Sequence, residues 1–75
     1  MTNLCLSQDV TFGFWSADKT RQRLEYLRNR SLPYRVDFLD WTEHSFLLWT
    51  KFTITVGGTS VAAVKEYLDI LCFTL

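Results

Sequence analysis

The residues best suited to acid–base or nucleophilic chemistry surround the single histidine. His44 lies between Glu43 and Ser45 in a polar stretch, residues 40–45. A nucleophile and its base must be within hydrogen-bond reach, and consecutive residues of one turn point in different directions. We therefore interpret His44 as a solvated turn residue and predict that the chain is not an enzyme.

Metal ligation has equally little support in the sequence. A protein-bound metal ion takes three or four ligands that lie close together. Cys5 and Cys72 stand near opposite ends of the chain, and the eight carboxylates are scattered. We predict no metal and no cofactor. Because the first nine residues lack the cationic start and apolar stretch of a secretory signal, we interpret both cysteines as reduced thiols of a cytoplasmic protein, with a Cys5–Cys72 disulfide as the alternative.

A glycine pair followed by two hydroxyl residues, Gly57-Gly58-Thr59-Ser60, precedes a predicted helix. Exposed backbone amides at a helix start, together with two hydroxyls, can hold a phosphate or carboxylate. The simpler interpretation is a tight strand exit followed by a helix cap, since the full glycine-rich phosphate motif and its lysine are missing. A ligand-sensing role is therefore the weakest of three functional hypotheses.

The charges are separated along a chain whose net charge is zero. Six of the eight basic residues lie between Lys19 and Arg35, whereas acidic residues dominate the second half. One stripe at helical spacing places an aromatic ring among cations: Lys19, Arg23, Tyr26 and Arg30. Such a stripe suits nucleic acid or an acidic protein surface, although a solvated helix face is the plainer interpretation. Nucleic-acid binding is accordingly the second functional hypothesis.

The hydrophobic pattern predicts the order β-α-β-β-α in one domain over residues 1–75. The expected elements are a strand over 10–15, a helix capped by Ser16 over 17–30, a strand over 34–38, a long strand over 46–56 and a helix ending near 71. A right-handed crossover makes the first two strands parallel, either adjacent or one strand apart. The class is α+β: a three-stranded sheet with both helices on one face, which resembles a ferredoxin-like half lacking its last strand.

Strand alternation divides the large apolar residues between two faces. We expect even-numbered strand residues, among them Phe12, Phe14, Phe38, Phe46 and Phe52, to face the helices. The opposite face then carries the candidate protein-binding residues Trp15, Leu39, Trp41, Leu47 and Trp49. Monomers rarely expose that many large apolar groups together, and tryptophan is a typical interface anchor. Base stacking is the alternative use of this face. The plainest interpretation is that residues 4–6 cover the face within the monomer.

Composition supports this interpretation. The 75 residues are 48% hydrophobic and 16% aromatic, which argues against disorder, and the longest uncharged apolar run, Phe46–Trp49, is far too short to span a membrane. We therefore expect a binding module of the adaptor or inhibitor type, such as phages and mobile elements encode. It would bind another protein or itself as a homodimer, without a membrane or a metal.

Overall fold

The computed structural model describes residues 4–33 and 35–75, and its element order is the one the hydrophobic pattern predicts. The elements are β1 (Leu4–Gly13), α1 (Phe14–Arg28), β2 (Val36–Ser45), β3 (Trp49–Gly58) and α2 (Val61–Thr74). The chain is an α+β protein with a three-stranded antiparallel sheet in the order β1-β3-β2. Because β3 is antiparallel to both neighbours, β1 and β2 are parallel and one strand apart.

The largest differences from the predicted element boundaries are in β1, α1 and β2. Residues 4–9, whose conformation the sequence left open, belong to β1, and α1 begins at Phe14 with Gly13 as its N-cap rather than at Ser16. The polar stretch 40–45 is strand and not turn, so His44 belongs to β2, where it pairs with Lys51. The predicted strand position of Tyr34 lies outside the described residues.

Both helices pack on the same face of the sheet. The centre of the core is formed by Phe52, Ile54 and Val56 of β3, which are fully buried. The same cluster contains Leu24 of α1 and Val64 of α2. The predicted helix stripes are confirmed for the buried residues Ala17, Thr20, Leu24, Val64, Leu68 and Leu71, whereas Val61 and Ile70 are about half exposed.

A β-bulge reverses the predicted parity of β2. The register shifts between Val36 and Phe38, so that Phe38 lies opposite Gly57 while Leu39 lies opposite the buried Val56. Directly opposite residues of antiparallel strands point to the same face. Leu39 and Trp41 therefore face the helices, and Leu39 is only 2% exposed. The expectation that these two residues form an exposed face, and that Phe38 belongs to the core, is wrong because one extra residue shifts the alternation.

Candidate protein-binding surface

The predicted aromatic sheet face does not exist as one surface. Of its five residues, Leu39 is buried and Trp41 is half-buried against the core. Trp15 lies in the first turn of α1, where the backbone has already left the sheet. Leu47 lies in the turn between β2 and β3, and Trp49 is the first residue of β3. Of the five, Trp15, Leu47 and Trp49 are exposed.

The sheet face opposite the helices is largely polar instead. Ser7 and Thr55 exchange a hydroxyl hydrogen bond of 2.9 Å across β1 and β3. On the same face Lys51 Nζ lies 3.9 Å from Asp9 Oδ2, and His44 is exposed beside Lys51. Phe38, whose ring covers Gly57, and Trp49 at the first position of β3 are the large aromatic residues on this face. This face offers hydroxyls and charges to a partner rather than a row of tryptophans.

Six of the exposed large apolar residues lie together at one end of the sheet. The register pairs Gly13 with Trp49, so the start of α1 lies beside the turn that joins β2 to β3. The residues of this surface, called here the apolar end, are Phe14, Trp15, Phe46, Leu47, Leu48 and Trp49. Trp15 is 89% exposed, Leu47 is 94% exposed and Trp49 is 55% exposed. Phe14 and Phe46, which parity assigned to the core, are exposed as well.

Local structure holds the apolar end in a defined shape. The Phe46 amide donates to the Trp49 carbonyl over 2.6 Å and closes the turn. The rings of Phe14 and Trp15 meet edge to face, with centroids 6.3 Å apart. The sequence signal that marks this surface is the uncharged run Phe46–Trp49 itself. Sequence reasoning assigned that run to a strand, because the polar residues before it look like the turn.

A charged network on the helix side of β2 joins that strand to α1. Arg21 donates from Nε to both carboxylate oxygens of Glu43 over 2.9 Å, and its Nη1 donates to Asp18 Oδ1 over 2.8 Å. These bonds lower the pKa of Glu43 and raise that of Arg21. The Arg28 guanidinium carbon lies 4.4 Å from the centre of the Trp41 ring, a cation–π contact. Glu43 is thus occupied as an ion-pair partner, on the opposite face from His44.

The predicted basic stripe is partly assembled. Lys19, Arg23 and Tyr26 line one shallow groove with Leu75. Arg30 adds to it, since its Nη1 donates to the Tyr26 hydroxyl over 2.5 Å and its guanidinium carbon lies 5.1 Å from the Tyr26 ring centre. Two other basic residues of α1, Arg21 and Arg28, have structural partners on β2. The stripe is therefore narrower than the run of basic residues in the sequence suggests.

The glycine–hydroxyl segment is used within the fold. Gly57 and Gly58 are the last two residues of β3, so they do not form the predicted strand exit. The Thr59 amide donates to the Arg35 carbonyl over 3.1 Å. Ser60 caps α2, with its hydroxyl accepting from the Ala63 amide over 3.4 Å. These backbone amides are engaged by the protein itself.

The remaining reactive groups are dispersed. Cys5 is exposed and Cys72 half-buried, and both are free thiols; burial raises the pKa of Cys72, with a smaller contribution from Asp69. Within residues 4–33 and 35–75, no three His, Cys, Asp or Glu side chains stand close enough to hold a metal ion. In the same part of the chain, no helix combines the length and apolar character needed to cross a membrane.

No family model, curated protein or solved structure matches this chain.

Proposed function

We propose that this chain is a non-enzymatic binding module that acts by associating with another protein through its apolar end. The observation that supports this most strongly is the exposure of six large apolar side chains in the β2–β3 turn, at the first residue of β3 and at the start of α1. Removing a leucine- or phenylalanine-sized side chain from water contributes about 1.5–3 kcal/mol, so a partner that covers several of them gains a substantial driving force. Tryptophan and phenylalanine also supply rigid anchors.

The proposed architecture is that of a ferredoxin-like half lacking its last strand. The order β-α-β-β-α and the sheet order β1-β3-β2 support it. In this arrangement the sheet and helices act as a scaffold, and the turn between β2 and β3 presents the binding residues. We place the module in the cytoplasm, an assignment that the two free thiols support.

The experiment that tests this function is photo-crosslinking from position 47 in cells. A photoreactive amino acid replaces Leu47 in one variant and the exposed Glu66 of α2 in the matched control. We expect position 47 to link to a defined protein and position 66 to leave it unlinked. Trp49→Glu, introduced together with the photoreactive amino acid at position 47, should abolish the crosslinked product. Because the Trp49 side chain is exposed, the circular dichroism spectrum should stay unchanged.

Two results would overturn the proposal. One is an identical crosslinking pattern from positions 47 and 66, which would mean that the apolar end has no partner of its own. The other is binding of the purified chain to phosphatidylcholine vesicles that Trp49→Glu eliminates, since that would assign the exposed side chains to a lipid surface.

The groove on α1 favours nucleic-acid binding as a second candidate function. Lys19 and Arg23 lie beside Tyr26, whose ring and hydroxyl are contacted by Arg30. Contacts with phosphates weaken steeply as salt rises. If the candidate is correct, single-stranded or duplex oligonucleotides bind at low salt, and Arg23→Gln weakens binding more than the control Lys65→Gln. Absence of binding at low salt rejects this function.

A further inference from the structure

The two edges of the sheet differ in how they are protected. The β2 edge carries a bulge and three carboxylates, Asp37, Asp40 and Glu43. Arginines of α1 lie against it, as Arg21 and Arg28 do in the network above. Bulges and charged side chains are the usual means by which edge strands avoid pairing with other chains.

The β1 edge lacks a bulge and has a single charged residue. Its register with β3 runs through ten consecutive pairs without a shift, from Leu4↔Gly58 to Gly13↔Trp49. The strand contains no proline, and its one charged residue, Asp9, lies on the outer face near Lys51. An edge strand of this length, without a bulge and nearly uncharged, is a template for another strand.

We propose that β1 pairs with β1 of a second copy of this chain, in antiparallel orientation, with Gln8 opposite Gln8. The two sheets then become one continuous six-stranded sheet about a two-fold axis perpendicular to it. Such an axis keeps the two helices of each copy on the same side. It also requires every residue to lie opposite one of the same parity, so the position numbers of each opposed pair add up to an even number.

The side chains of β1 complement each other in this register. On the helix side Leu4 lies opposite Phe12, and Leu6 lies opposite Val10. All four are apolar and at least partly exposed in the single chain. At the axis the exposed Gln8 meets its own copy, and an amide supplies both a donor and an acceptor for that pair. On the outer side the Ser7 hydroxyl lies opposite the Asp9 carboxylate.

Neighbouring registers fit less well. Centring the axis on Asp9 places two carboxylates directly opposite each other, which is destabilising. Centring it on Ser7 sets the apolar Leu6 against Gln8 and Cys5 against Asp9. The register centred on Gln8 therefore matches apolar with apolar and polar with polar along the strand.

The position of α2 adds a second contact across the axis. This helix packs chiefly on β1 and β3, so its axis lies above the gap between them. With strands about 4.8 Å apart, the α2 helices of the two copies come to about 10 Å, the distance of packed helices. Ala63, Tyr67 and Ile70 face the groove that holds Pro33 and Arg35, so the opposite flank, with Val61 and Lys65, faces the axis.

The first test is the native mass of the purified chain by sedimentation equilibrium at micromolar concentration. We expect a dimer. Gln8→Lys puts two like charges at the axis and should raise the dimer Kd about tenfold or more. The matched control, Thr42→Lys on the exposed face of the β2 edge, should leave the Kd unchanged. Both positions are solvent-exposed, so both variants should fold.

A second measurement fixes the register. Spin labels are attached to Gln8→Cys or Thr11→Cys in a background with Cys5→Ser and Cys72→Ser. The label pair at position 8 should be in near contact, whereas backbone positions 11 of the two copies should be about 20 Å apart, six residues along a strand. Equal distances at both positions would contradict the proposed register.

The edge dimer and the proposed function can be tested separately, because the first uses the β1 edge and the second uses the apolar end. A monomeric wild-type chain overturns the edge dimer and leaves the crosslinking result at position 47 unaffected. A dimer that resists Gln8→Lys but dissociates with Trp49→Glu overturns it as well, because self-association would then occur through the apolar end.

Discussion

At the scale of single residues, Gly57 and Gly58 occupy the last two positions of β3, where a side chain does not fit. A Cβ on Gly57 would overlap the Phe38 ring of the neighbouring strand, and a Cβ on Gly58 would overlap the Arg35 carbonyl oxygen. The pattern of the sequence suggested a strand exit at this pair. It could not indicate close packing, because that depends on which residues the bulge in β2 brings opposite β3.

This difference between glycines leads to a stability prediction. Gly58→Ala should cost about 1–3 kcal/mol of unfolding free energy, because a backbone carbonyl cannot swing aside as a side chain does. Gly57→Ala should cost less, since the partly exposed Phe38 ring can move away. Gly13→Ser is the control: outside its chain neighbours, no heavy atom lies within 4 Å of an added Cβ there, and serine is a good N-cap. Urea denaturation measures the order, and an equal loss at positions 13 and 58 would contradict it.

At the scale of elements, the helices were predictable and β2 was not. The apolar spacing of three and four residues identified the buried faces of α1 and α2, because a helix keeps its period along its length. Alternation in a strand fails after one inserted residue, and the bulge between Val36 and Phe38 exchanged the faces of Leu39 and Trp41. The polar residues 40–45 resembled a turn because they lie on an edge strand that meets water and the arginines of α1.

The ion pair between α1 and β2 makes a prediction about acid stability. Hydrogen bonds from Arg21 hold the folded-state pKa of Glu43 below its ordinary value of 4.5. A lowered folded-state pKa stabilises the protein above the unfolded-state value, and this stabilisation is lost as the pH falls through the lower value. In Glu43→Gln that contribution is absent at every pH.

Thermal unfolding between neutral pH and about pH 3 checks this prediction. Wild type should have the higher Tm near neutral pH, and the difference between the two proteins should shrink as the pH drops below 4.5. Asp37→Asn, which removes an exposed carboxylate from the same strand, is the matched control. A Tm difference for Glu43→Gln that does not change with pH would contradict the role of the ion pair.

At the scale of the whole molecule, folding redistributes the charge and the apolar surface. The basic first half and acidic second half are brought together where Arg21 meets Glu43 and Arg28 meets Asp40. The sequence showed the separation of charge but not this pairing, which depends on how α1 crosses the sheet. The aromatic surplus is likewise divided: Phe12 and Phe52 meet edge to face near the core, while the apolar end stays in solvent.

If the apolar end serves association rather than folding, its leucines should contribute little to stability. Replacing both Leu47 and Leu48 with lysine should change the unfolding free energy by less than about 1 kcal/mol, because both side chains are largely exposed in the folded chain. Ile54→Lys, a buried change of the same kind, should unfold the protein. Chemical denaturation measures both, and light scattering should show less aggregation of the double variant. If the double variant loses several kcal/mol of unfolding free energy, the leucines of the turn support the fold. Their presence at the apolar end would then be explained by stability, without a binding partner.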